Sequence, residues 1–88
     1  MLPHELKNRI ETGLPATLCL VNEFSGGTDH YAVVVVASVF EGHSLLARHR
    51  LVMDLFREEI ATGEVHALSI KAYTPEQWKT TQEQLKSN

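Results

Sequence analysis

Six consecutive apolar residues, Ala-Val-Val-Val-Val-Ala at positions 32–37, constrain this chain more than any other stretch. The run is strand-sized and far short of the ~18 apolar residues that a membrane span needs. A segment apolar at every position is what a central strand covered on both faces would show, so a strand is expected over 31–38. Residues 17–24, rich in Leu, Val and Phe, precede it across the turn-forming cluster Ser25-Gly26-Gly27-Thr28-Asp29. Strand, turn and strand read as a β-hairpin.

The remaining elements follow with short connections, without repeats, low-complexity tracts or linkers. Leu6 and Ile10 lie one turn apart in a stretch that opens at Pro3 and stops at Gly13, the pattern of a short amphipathic helix over 3–12. After Gly42 the apolar period changes. Leu45, His49, Val52, Met53, Phe56 and Ile60 form one helical stripe, with Ser44 as its N-cap and Gly63 as its stop. One helix or two shorter ones with a bend both satisfy this pattern. Residues 65–73 alternate, with His66, Leu68, Ile70 and Ala72 on one face and Ala67, Ser69 and Lys71 on the other, as a strand requires. Thr74-Pro75-Glu76-Gln77 is a capping-box arrangement that starts a last helix toward Leu85.

The order is helix, strand, strand, helical region, strand, helix. A helical crossover places the third strand parallel to the second, so the expected fold is α+β with a three-stranded mixed sheet of order 1-2-3 and helices on one face. That topology resembles the type II KH fold. At 88 residues, 43% of them hydrophobic and 22% charged, the chain is expected to form a single domain over 1–88, with no material for a second core. No membrane association is expected. The N-terminus has neither a basic opening nor an apolar core of the kind a leader carries, so a cytoplasmic location is the default expectation, a mitochondrial one requiring that a targeting segment had been removed.

Cys19 is the single cysteine, which rules out an internal disulfide and any self-sufficient site of three or four thiolates. Inside a strand, it reads as a small core residue. Two histidines stand out by position. His30 immediately precedes the second strand and His66 opens the third. If those strands are parallel neighbours, ~4.8 Å apart, both imidazoles lie at the same end of the sheet, where they could approach one metal centre. His43 falls at the opposite end, and His4 lies on the first helix. Burial beside Leu68 and Ile70 should depress the pKa of His66 and keep it neutral, as metal ligation requires and as a purely structural histidine would also show.

The segments Phe40-Glu41-Gly42, Arg48-His49-Arg50-Leu51-Val52 and Val65-His66-Ala67, with Thr74-Pro75 and Trp78 behind them, resemble the BolA family in both content and order. The resemblance implies the same KH-like fold. It implies a non-enzymatic adaptor that partners a monothiol glutaredoxin around a shared [2Fe-2S] cluster, with a second reading as a transcriptional regulator. Under that resemblance the glutaredoxin supplies one cysteine and bound glutathione a second thiolate. The BolA-like chain then supplies His66 and a ligand from the region before the second strand. In several family members that loop is longer and carries an extra His or Cys; here residues 25–29 carry neither, which leaves His30. Imidazole can terminate such a cluster in place of thiolate. No cofactor is expected in the isolated chain, and a homodimer is compatible with this reading.

Arg48, Arg50 and Lys71 are the candidate partner-facing patch toward glutathione or an acidic rim. Arg50 and Asp54 at i, i+4 also suit an ordinary helix-surface pair. His49, in the apolar stripe, reads first as a core residue. A DNA-binding mode would use residues 44–60, with Arg48, His49 and Arg50 toward phosphates. The chain contains no Gly-x-x-Gly loop of the KH kind, and its formal charge of -3 lacks a broad phosphate-binding footprint, so nucleic acid is the less favoured partner. No nucleophile-base pair, phosphate-binding glycine loop or suggestive carboxylate pair points to an enzyme.

Overall fold

The computed structural model describes residues 2–15, 18–23, 30–65 and 67–87. Along them run α1 (Pro3–Gly13), β1 (Leu18–Glu23), β2 (His30–Val36), α2 (Leu45–Met53), α3 (Arg57–Thr62), β3 (Ala67–Tyr73) and α4 (Pro75–Ser87), with short 3-10 turns at Ser38–Phe40 and Asp54–Phe56. The sheet has the expected order, β1-β2-β3. β1 pairs antiparallel with β2, and β2 pairs parallel with β3 from His30 opposite Ala67 to Val36 opposite Tyr73.

The core lies between one face of this sheet and the helices. Tyr31, Val33 and Val35 of β2 and Cys19 of β1 meet Leu6 and Ile10 of α1, Val52 of α2, and Phe40, Phe56 and Val65 from the connections. Burying side chains of this size stabilises the fold by roughly 1.5–3 kcal/mol each. The other face meets the expectation that β2 is covered on both sides only at Val36, which is 1% exposed. Ala32 and Val34 are only half-buried, beside the exposed Leu20 of β1 and the exposed Ser69 and Lys71 of β3. Valine suits a half-buried pleated surface as well as a fully buried one, so an unbroken apolar run does not by itself demand two layers.

The helical region resolves into two helices. The Ser44 hydroxyl accepts the Ala47 N–H at 3.1 Å and starts α2. The 3-10 turn at Asp54–Phe56 breaks the helix, and α3 ends at Gly63, whose φ of +83° suits glycine. The buried face also differs from the stripe read in the sequence. Val52 and Phe56 of that stripe are fully buried and Ile60 packs on the core, but Arg48 and the partly buried Leu51 and Leu55 join them, while His49 and Met53 lie on the flank and are half-buried. Leu45, in the first turn, is 73% exposed. The α-helical period allows both phases over so short a segment, and the long aliphatic stem of an arginine can occupy an inward position.

α1 is held at both ends. The Glu5 carboxylate accepts the Leu2 N–H at 2.7 Å, and the backbone at Gly13 lies so close to Leu55 that a Cβ there would stand 2.5 Å from a Leu55 methyl carbon. Between them, Arg9 reaches across to the Leu55 carbonyl and to the Glu59 carboxylate at 2.6 Å, while its guanidinium lies over the Phe56 ring. The hydrogen bond from Arg9 holds the Glu59 carboxyl below its ordinary range.

Candidate functional site

The parallel register brings the starts of β2 and β3 to one pole of the sheet. His30, the first residue of β2, is half-buried and stands opposite Ala67, the first residue of β3. Strands in this relation are ~4.8 Å apart. In sequence, Ala67 directly follows His66, which itself lies outside the described residues, as does the turn cluster at 25–29. The expectations for the placement and burial of His66 therefore rest on that adjacency alone. His43 follows β2 at its other end, and His4 is an exposed residue of α1. Neither joins this pole.

Cys19 is fully buried in the core cluster, on the helix-covered face of β1. Burial, reinforced by the negative charge of Glu11, pushes its thiol up to about 11. A thiol so placed is a packed apolar group rather than a thiolate ligand, in keeping with the sequence reading.

The largest departure from expectation is Arg48. Its side chain is buried at 7% exposure. Nε donates to the His43 carbonyl at 3.0 Å, and Nη1 donates to the Ala72 carbonyl at 3.2 Å and to the Gln77 side-chain oxygen at 2.8 Å. The guanidinium also lies 6.0 Å from the centre of the Phe40 ring. The same Gln77 oxygen accepts the Thr74 N–H at 3.0 Å, while the Gln77 N–H donates to the Thr74 hydroxyl at 3.2 Å. This is the capping box expected at the start of α4, with an arginine from α2 added to it. Arg48 thus ties together the loop before α2, the end of β3 and the first turn of α4.

That placement corrects the three-residue patch. Arg48 is committed inside, and only Arg50 and Lys71 of the patch are exposed. The DNA-binding set loses the same residue, since a guanidinium spent on backbone and side-chain acceptors has no approach to phosphates. Sequence carried one clue to this role: Arg48 lies four residues before the buried Val52, in phase with it.

A second feature lies beside β3. Leu45 and His49 of α2, with Ile70, Lys71, Ala72 and Tyr73 of β3, line an open groove of about 360 Å³. A neighbouring hollow is lined by Glu41, Gly42, Arg48, Thr74, Glu76 and Gln77, among others. At the end of the sheet, Tyr73 and Trp78 form a tilted ring contact with centroids 5.4 Å apart.

Comparison with known proteins agrees with this architecture. Residues 6–77 match the family model described as BolA-like protein. Mouse BolA-like protein 1 is 46% identical over 81 residues, covering 84% of this chain and 58% of the mouse protein. The match therefore spans little more than half the length of that relative. The acid stress protein IbaG of Escherichia coli K12 is 38% identical over 72 residues, covering 81% of this chain and 86% of IbaG. Among solved structures, the solution structure of BolA1 from mouse superposes with a TM-score of 0.79 at 40% identity, covering 90% of this chain and 69% of that one.

Proposed function

The chain belongs to the BolA-like family, and from that premise we propose that it is a non-enzymatic adaptor that binds a monothiol glutaredoxin and shares a [2Fe-2S] cluster with it. The observation that supports the reading is that the parallel register brings His30 and the start of β3, the residue after His66, to one pole of the sheet; His30 shares the face of its partner Ala67, so a ligand at 66 would meet it around the strand ends and not from the same face. Two imidazoles supplied from adjacent strand starts would furnish the nitrogen half of a four-ligand site, the other half being the glutaredoxin cysteine and the glutathione thiolate.

The donor set of this chain suits sharing. Its one cysteine is buried in the core with a raised pKa, so this protein has imidazole to offer and no accessible thiolate. Neutral imidazole is the ligating form, and each ring needs its second nitrogen held by another acceptor. When bound, the cluster would supply iron and sulfide for transfer or an iron-dependent signal; the chain's part is to present His66 and His30 and to hold the two strand starts in register. No helix is long and apolar enough to cross a membrane among the described residues.

Anaerobic reconstitution with a monothiol glutaredoxin and glutathione, followed by visible absorption and circular dichroism, tests the reading. His66→Ala is expected to change the cluster spectrum and shorten its lifetime, while gel filtration still shows the heterodimer. An unchanged spectrum in His66→Ala sinks the ligand assignment, and failure of the two proteins to associate at all sinks the adaptor role.

A further inference from the structure

β3 is an edge strand, and its hydrogen-bonding pattern shows which of its groups face away from the sheet. The Tyr73 carbonyl accepts from Ala37 N–H at 3.0 Å, so it faces β2. Successive residues of a strand alternate, so the main-chain groups of Ala72, Ile70 and Leu68 face outward. The Ala72 carbonyl confirms this, since it accepts from Arg48 instead of from β2. Beyond that point the outward N–H and C=O of Leu68 and Ile70, and the N–H of Ala72, form an open edge of the kind to which an extended segment can add.

The core is unfinished along this edge. In β2 the inward side chains are fully buried, whereas Leu68, Ile70 and Ala72, which share the core face of β3, remain half-exposed. Beside them stands the groove formed with Leu45, 73% exposed, and His49. Lys71, on the alternate face of the strand but also bordering this groove, is exposed and has no carboxylate partner among the described residues.

We propose that the outer edge of β3 and the groove between it and α2 accept an extended segment of a partner protein, with alternating apolar and acidic side chains, as a fourth strand. Register dictates the alternation. Directly paired residues on adjacent strands share a face. The incoming residue opposite Ile70 therefore projects its side chain into the groove against Leu45 and His49, where an aliphatic group buries the exposed leucine. Its neighbours, opposite Lys71 and Ser69, project onto the other face, where a carboxylate meets the lysine ammonium. The Arg48 contact to Ala72 closes the edge at the Tyr73 end and fixes where the added strand stops. A lysine in mid-edge also discourages pairing with other apolar strands, so the same residue selects acidic partners over a second copy of an apolar strand. The groove contacts at Leu45, His49, Ile70 and Lys71 lie toward the Tyr73 end of β3, and only Leu68 comes near the pole where the strand starts, so the peptide titration and the cluster experiment are read apart.

The full-length chain, labelled with nitrogen-15, can be titrated with the capped hexapeptide Leu-Glu-Leu-Glu-Leu-Glu, kept monomeric as judged by diffusion. Amide shifts are expected to concentrate at 68–72 and 45–49, with exchange of the Ile70 amide slowed at least ten-fold at saturation. Lys71→Glu, at an exposed position, is expected to weaken binding at least five-fold and to favour the corresponding Leu-Lys peptide, while shifts elsewhere in its spectrum report an intact fold. Leu45→Ser is expected to weaken both peptides. The proposal is overturned if no β3 amide responds at millimolar peptide, if Lys71→Glu leaves affinity unchanged, or if single-stranded oligothymidine moves these amides at concentrations where the peptide does not. Any of these outcomes leaves the effect of His66→Ala on the shared cluster to be judged separately.

Discussion

Replacing Arg48 by alanine removes three hydrogen bonds, to the His43 and Ala72 carbonyls and to the Gln77 side-chain oxygen, which keeps the Thr74 N–H. Hydrogen bonds to a charged donor contribute more than neutral ones, and the packing of the buried arginine beside Phe40 is lost with them. We expect Arg48→Ala to lower unfolding free energy by about 3 kcal/mol in urea denaturation, and Arg48→Lys to recover little, because an ammonium cannot reproduce the planar fork that reaches several acceptors. Arg50→Ala, at an exposed position, should change stability by less than about 0.5 kcal/mol. Equal effects at the two arginines would show that Arg48 is a surface residue in solution. The residues themselves explain why this was hard to read in advance. An arginine flanked by a histidine and a second arginine looks like a charged surface strip, and the identity of its acceptors, two of them main-chain carbonyls, is invisible in a sequence. The capping box of Thr74 and Gln77 was legible because both partners lie within one helical turn, and Gly63 was legible because its backbone needs a residue without Cβ.

At the scale of elements, short-range signals were reliable and phase was not. The hairpin pairing, the parallel third strand and the sheet order all follow from turn chemistry, alternation and a crossover of sufficient length. The inward face of α2 followed at Val52 but not at Arg48, because over nine residues a polar side chain with an aliphatic stem competes on equal terms with an apolar one. The contact of α1 with α3 was also unannounced, since Arg9 and Glu59 are far apart in sequence and meet only once both helices lie on the sheet. This pair has a pH signature. The Glu59 carboxyl is held below the ordinary carboxylate value of 4.5, chiefly by the hydrogen bond from Arg9, so folding favours its ionised form. Its contribution is fully present above the ordinary range and is lost as pH falls through the lowered folded value. The stability difference between the parent chain and Glu59→Gln should therefore be constant near neutrality and shrink as the pH falls below about 4.5. Both side chains are partly solvated, so the difference will be small. Urea midpoints measured across that range check it, and a difference unaltered down to the acid limit would remove Arg9 as the cause.

The whole molecule divides into a packed body and a projecting helix. Its radius of gyration, 13.2 Å, exceeds the roughly 12 Å expected of 88 compact residues, and its longest extent is 40 Å against 20 Å for the shortest. α4 has 13 residues, a length that is marginal for a helix without support, and most of its described side chains after Trp78 are exposed. Its first turn is held, among the described side chains, by the junction where Arg48, Thr74 and Gln77 meet and by the Tyr73–Trp78 ring contact. Local stability should follow this division. In native-state hydrogen exchange, the amides of Val33 and Val35 are expected to open only with global unfolding, whereas those from Lys79 onward exchange orders of magnitude faster. Arg48→Ala should carry fast exchange back into the first turn of α4 and the last residues of β3 and leave the β1–β2 pairing in the slowest class. If α4 instead exchanges with the core, its support comes from more than that junction. If Arg48→Ala quickens every amide alike, the arginine stabilises the molecule as a whole and does not act as a local tether.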